Sequence, residues 1–416
     1  MQRPRARGAF FWARGSVQTP RWKAFNGSLM GRTGIQEKSM RSGHSILTFG
    51  VALLMASTPA FAAESIRIGM FAELTGANAE FGKESVNGAV LAAEELNLAG
   101  GVLGRPLEIV TEDNQSNNPG SEVAVSKLLG SGNIKAIISS PRSTQVLAVM
   151  PAIAQAGVPT LACGTLYTLT HANNPWMFRV APHDGYLAKA IADFGTSILK
   201  KKKWAIVHTE ESYGIAGRDM LAQELKALGV APPFVQGVGY SVQNLAPLIL
   251  AIKNSAPDIV AMYFARPEVT AEFAKQLRAA GMGSVLIGGS GVTSKAVMRI
   301  AGAALHDSYS LTAFTVEATA HSRAFARKYR EKTGGEPDQH AAWAYDAVHL
   351  VARAITIAAS VDATAIRKGL HAIRGFNGAA GAYTFDRNGD GRHGFDVVKN
   401  DNGKLVTIKT ISYLPK

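Results

Sequence analysis

Few side chains in this sequence stand in a pattern that chemistry requires, and those few point to binding. The strongest metal candidate is Asp386-x-Asn388-x-Asp390-Gly391, the first half of a calcium loop whose oxygen ligands alternate along a tight turn. The acid that would complete such a loop is missing, because Val397 occupies its place, so a hairpin turn rich in Asx residues accounts for it better. Neither a metal nor any other cofactor is expected. Catalytic patterns are missing too: there is no H-E-x-x-H, no P-loop, no G-x-S-x-G elbow and no complete G-x-G-x-x-G. Gly130-Ser131-Gly132 and Gly289-Ser290-Gly291 stop short of all of them. The chain therefore reads as something other than an enzyme. What remains are two aromatics beside glycine, Phe81-Gly82 and Tyr213-Gly214, and the single cysteine, Cys163. One cysteine excludes an internal disulfide, and Cys163 reads more readily as a small packing residue than as a reactive thiol. The aromatics sit at strand-to-helix turns, where they suit a ligand wall as well as a core.

The elements that must position these residues alternate. Apolar, strand-like runs at Ile66–Phe71, Leu107–Thr111, Ile134–Ser139 and Pro159–Ala162 are separated by helical patterns at about 83–99, 120–130 and 144–156. Val86, Ala89, Val90, Ala93 and Leu96 share one helical face, the spacing of a core-facing helix. A second series places strands near Trp204–His208, Phe234–Val238, Ile259–Phe264 and Val285–Ile287, with helices at about 184–200, 214–228, 244–254 and 268–280. The alternation predicts an α/β chain of two doubly wound, Rossmann-like lobes with parallel sheets, and a ligand site outside the carboxyl ends of the strands. Helices at 319–333, 339–359 and 362–372 follow without a sheet of their own and should complete the first lobe. The tail reads as antiparallel strands at Ala382–Asp386, Phe395–Asn400 and Leu405–Ser412. Lobe 1 is then 63–181 plus 316–375 and lobe 2 is 182–315 plus 376–416, joined by a hinge crossing near 178–182, 311–316 and 374–384.

Export is written at the start. Ile46–Ser57 is a short apolar run preceded by Arg41 and followed by Ala60-Phe61-Ala62, so residues 40–62 read as a cleaved signal peptide, with the mature chain from about Ala63. Residues 1–39 resemble no export n-region and read as a mis-called or disordered extension. The formal charge of +13 is misleading, because residues 1–62 hold nine of the 44 basic side chains and one of the 31 acids. The remainder has 35 basic and 30 acidic groups, a surplus of five that gives no footprint for nucleic acid. Lys200–Lys203 suits the solvated end of a helix.

Several stretches carry a family resemblance: Ile66–Gly76 (I-R-I-G-x-x-x-x-L-T-G), Phe81-Gly82, Ala92–Gly104 (A-A-E-E-L-N-x-A-G-G-x-x-G), Glu112–Asn114 and Val158–Ala162 (V-P-T-L-A). With Tyr213-Gly214, Arg278–Gly281 and the closing hairpin, they resemble the leucine/isoleucine/valine-binding type of periplasmic binding protein over the whole mature chain. The resemblance implies a type I two-lobed receptor, a monomer in the periplasm, that closes on a small solute and delivers it to the permease and ATPase of an inner-membrane ABC transporter. It implies a ligand wall at Phe81, a carboxylate-binding loop Ser139–Thr144 with Ser140, Arg142 and Ser143, a second such loop at Cys163, Gly164 and Thr165, and a closing aromatic at Tyr213.

One departure bears on the ligand. Ser290 stands where the amino-acid binders carry the acid that pairs with the ligand's ammonium group. A buried ammonium without an anionic partner is costly, so either Glu210 or Glu211 replaces it or the ligand has no ammonium. Arg142 suits a carboxylate held bidentately or a solvated loop. His340 reads as a helix-surface residue, and Ser290 itself suits a plain turn. Two ligand classes stay open: a branched-chain or related amino acid, and an aromatic or other organic carboxylate or amide lacking an ammonium. A sensory ligand-binding adaptor is the alternative role.

Overall fold

A computed structural model describes residues 64–231, 234–240 and 244–413. The signal-peptide and extension readings fall on residues 1–62, outside the described residues.

Two sheets form the scaffold. The first has β1 (Ile66–Ala72), β2 (Leu107–Asp113), β3 (Ile134–Ile138), β4 (Thr160–Ala162) and β5 (Met177–Arg179), all parallel in the order β2-β1-β3-β4-β5. Between them run α1 (Ala79–Leu98), α2 (Asn118–Gly130), α3 (Ser143–Ala156) and the single turn α4 (Thr168–His171). Parallel strands covered by helices on both faces must be apolar throughout, and β1 is buried at six of its seven positions.

The second series supplies α5 (Asp184–Asp193), β6 (Trp204–Thr209), α6 (Ser212–Ala227), β7 (Phe234–Val238), α7 (Ala246–Ser255), β8 (Ile259–Tyr263), α8 (Pro267–Ala279), β9 (Val285–Gly289), α9 (Lys295–Ala301) and β10 (Tyr309–Thr312). After α10 (Ala320–Thr333), α11 (Gln339–Ala358) and α12 (Ala363–Ala372) comes a small hairpin, β11 (Phe376–Gly378) and β12 (Gly381–Tyr383), then β13 (Gly394–Asp401) and β14 (Lys404–Ser412). The second sheet runs β14-β13-β10-β9-β8-β6-β7, with β6 to β10 parallel and the last two strands antiparallel. This is the type I periplasmic binding protein fold.

The departures from the sequence reading have local causes. The strands β5 and β10 are short and carry Arg179, Ser310 and Thr312, so no apolar run announced them. The helix read over 184–200 loses its α geometry at Phe194–Ile198, which form a π turn. The helices α10 to α12 do pack with the first sheet: Gly88 on α1 lies so close to α11 that an added Cβ would sit 2.0 Å from the Ala341 carbonyl oxygen. The hairpin joins that same core through Ala379, Ala380, Tyr383 and Phe385, which corrects the lobe boundary read at 375/376. Asp346 is the reason, since its buried carboxylate accepts the Ala379 and Ala380 amides and the Tyr383 hydroxyl at 2.6–2.8 Å. Beyond Phe385 the chain stays beside the first sheet as far as Gly391, whose amide donates to the Arg179 carbonyl on β5 at 2.9 Å.

Candidate functional site

The site grows out of strand ends. In the first lobe the chain leaves β1, turns on Asp113, which accepts the Thr75 hydroxyl at 2.6 Å, and enters α1 with Phe81 nearly buried. Gly82 is required, because a Cβ there would lie 2.1 Å from the Glu73 carbonyl oxygen. That contact lets the helix start press against the strand it follows. The two loops after β3 and β4 are stitched by hydroxyls: Ser139 Oγ accepts the Cys163 amide at 3.0 Å, and Ser143 Oγ accepts the Thr165 and Leu166 amides at 3.1 Å each.

The second lobe repeats the plan after β6. Gly214 lies against the Thr209 carbonyl oxygen, which an added Cβ would meet at 2.1 Å. Glu211 caps α6 and accepts the Tyr213 amide at 2.9 Å and the Gly214 amide at 2.7 Å. The β8 end supplies Phe264-Ala265-Arg266, with Pro267 at the first turn of α8, and the β9 end supplies Ser290 and Gly291.

These ends face one another across a cavity of about 320 Å³. Its walls include Phe81, Arg142, Ser143, Thr165, Tyr213 and Ser290 from the sequence reading. Side chains bridge the lobes around it. Arg142 Nη1 donates to the Ala265 carbonyl at 2.6 Å and Thr144 Oγ1 to Glu211 Oε2 at 2.7 Å. The Gln339 amide donates to the Ser290 hydroxyl, and Lys295 reaches Glu84 at 3.2 Å. The Arg142 guanidinium lies 4.8 Å from the centre of the Phe81 ring, a cation–π contact. Arg266 stands likewise over Tyr240 at 5.6 Å.

Three sequence candidates lie behind the wall. The Ser140 hydroxyl is buried on the Glu73 carboxylate, Cys163 is fully buried in the core, and a side chain at Gly164 would meet Leu169 and Ser143 at 3.0 Å. Burial pushes the Cys163 thiol far above its usual range. Glu210 is exposed and does not line the cavity, whereas Glu211 does. The surface reading of His340 is corrected: it is 4 % exposed, its ring lies 4.7 Å from Phe81, and Asp338 holds its Nδ1 at 2.7 Å. Asp390 of the calcium-like turn is instead paired with the fully buried Arg179, while Asp386 accepts the Asn388 and Asp390 amides. Sequence reasoning missed Tyr240, Arg266, Gln339 and Trp343. The first two follow strands β7 and β8, so strand-end position was the available signal; the last two lie in the first turns of α11, which follows no strand of either sheet series directly and so gave no such signal.

Two buried carboxyls stand behind the walls. Burial pushes the Asp184 carboxyl up to about 7, offset in part by the neighbouring Thr165 hydroxyl and the Arg179 charge. Burial also raises Glu73, offset in part by Ser140 and Arg142. The same effect, with Asp184 and Glu211 nearby, drives the Tyr213 phenol well above its ordinary range. The cavity sets guanidinium and hydroxyl groups against an aromatic wall between the two lobes.

Residues 65–404 match the periplasmic binding protein family. The chain belongs to that family. This binding protein is 27 % identical over 368 residues to a Leu/Ile/Val-binding protein homolog of Brucella melitensis, covering 86 % of this chain and 98 % of the relative. In fold it is similar to a leucine binding protein from Thermotoga maritima, with a TM-score of 0.78, 24 % identity and coverage of 84 % and 99 %. It is also similar to a solute binding protein of an ABC transporter from R. palustris in complex with benzoate, with a TM-score of 0.76, 19 % identity and coverage of 84 % and 96 %.

Proposed function

We propose that this chain is the exported solute receptor of an ABC importer, catching a small carboxylate-bearing molecule between its lobes and presenting the closed form to an inner-membrane permease and its ATPase. The carrying observation is the cavity itself: its walls are strand-end turns of both sheets, and Arg142–Ala265, Thr144–Glu211 and Gln339–Ser290 bridge them. A ligand that touches both walls stabilises the closed state by its differential contacts, and that difference alone shifts the population. Capture and closure are the whole mechanism, with no bond made or broken. The arrangement of residues 40–62 supports secretion to the periplasm.

The named relatives suggest two ligand classes, branched-chain amino acids and aromatic acids. A thermal-shift screen of both at millimolar concentration tests the role, because stabilisation grows as RT ln(1 + [L]/Kd). Small-angle scattering with the hit should show the molecule contracting. A panel in which no small solute raises the melting temperature or compacts the protein would refute the receptor role.

A further inference from the structure

We propose that the solute is an organic carboxylate with an apolar or aromatic body and no ammonium group, so that this receptor discriminates against α-amino acids. The inference rests on the receptor reading above and assigns its ligand class.

Charge and hydrogen-bonding capacity in the cavity favour that class. Among the described residues the cavity is lined by two guanidinium groups, Arg142 and Arg266, and by one carboxylate, Glu211. A carboxylate offers about four lone-pair sites. Those of Glu211 are filled: Oε1 accepts the Gly214 amide and the Thr209 hydroxyl, and Oε2 accepts the Tyr213 amide and the Thr144 hydroxyl. An ammonium could reach it only by displacing the cap of α6 or a bridge between the lobes. The Ser290 hydroxyl accepts the Gln339 amide and, being neutral, gives no charge to pair with an ammonium.

The other nearby acids are out of reach. Glu73 and Asp184 are both fully buried and neither lines the cavity. The undescribed residues within the second series are Pro232, Pro233, Ser241, Val242 and Gln243, none of which can supply an acid. An anionic group, by contrast, is provided for. Arg142 keeps its Nε without a hydrogen-bond partner while Nη1 is fixed on Ala265, which leaves one edge of a planar fork for a carboxylate. Phe81, Tyr213, Phe264 and Trp343 enclose the rest, and about 320 Å³ suits a single ring or a branched chain.

The test uses pairs that differ only in the ammonium: 4-methylpentanoate against leucine, and 3-phenylpropanoate against phenylalanine, titrated calorimetrically into the mature protein after unfolding and refolding to strip carried-over ligand. The acid should bind at least tenfold more tightly than its amino acid in one pair or both. Arg142→Gln should weaken the acid at least tenfold. Ser290→Asp, which places a free carboxylate in the cavity, should raise amino-acid affinity at least tenfold and narrow the gap. Equal or tighter binding of the amino acids overturns the ligand class and leaves the receptor role standing. Failure of every member to bind overturns the class too; if native mass spectrometry of the freshly isolated protein also shows no bound small molecule, the receptor role falls with it.

Discussion

The two lobes present the same turn with opposite electrostatic outcomes. Each runs strand, acid, aromatic-glycine, helix: Glu73 precedes Phe81-Gly82, and Glu211 precedes Tyr213-Gly214. In the first lobe the acid turns inward beneath the helix start, where Ser140 and Asn114 donate to it. In the second it stays at the helix cap and faces the cavity. The first wall therefore offers Arg142 and hydroxyls over a buried acid, and the second offers aromatics over an acid whose acceptor sites are already filled.

The largest expected effect tests the shared plan. Gly82→Ala and Gly214→Ala each drive a methyl to 2.1 Å from a backbone carbonyl oxygen, and each should lose about 3 kcal/mol of stability in urea titration. An unchanged midpoint in either would break the equivalence of the turns. Next come the aromatics. Phe81→Ala should weaken the ligand by about 2 kcal/mol and Tyr213→Ala by somewhat less, read by calorimetry. Phe81 ranks higher because it also supports Arg142 and His340; a reversed order would move the anchor to the second lobe.

Asp184 at the first crossing sharpens the electrostatic side. Its folded carboxyl titrates near 7 against an ordinary 3.8, so between those values the unfolded chain binds fewer protons than the folded one. Stability from this group is present at low pH and is lost as pH rises through about 7. Asp184→Asn should remove that slope, raising stability by about 1 kcal/mol at pH 8, once its own buried amide is counted, and adding nothing at pH 4. Melting curves at the two pH values decide it. The smallest effect belongs to Cys163, which is buried away from the cavity. Cys163→Ala should leave ligand affinity within about twofold, with about 1 kcal/mol lost from the core, and the folded thiol should resist alkylation until the protein unfolds.

Much of this was legible along the chain. The strand-helix alternation and the aromatic-glycine turns are local patterns, and Phe81, Arg142, Ser143, Thr165, Tyr213 and Ser290 do line one cavity. Ser140, Cys163 and Gly164 share those same loops yet fall behind the wall, because side chains of an irregular loop follow no fixed period and nothing local says which of them face the cavity. His340 looked superficial because burial at the start of α11 comes from α1 and Phe81, far away in sequence.

The sequence alone determined the periodicities, and with them most of the elements, the two-lobed order and most of the strand ends at which a site must lie, since these depend on neighbours two to four places apart; the short, polar β5 and β10 needed the fold. Only the tertiary structure decided which polar groups remain available. Three of the donors to Glu211 are local, from residues 209, 213 and 214; the fourth, Thr144, belongs to the other lobe, so the last acceptor site of that carboxylate is filled only after the two lobes have packed together.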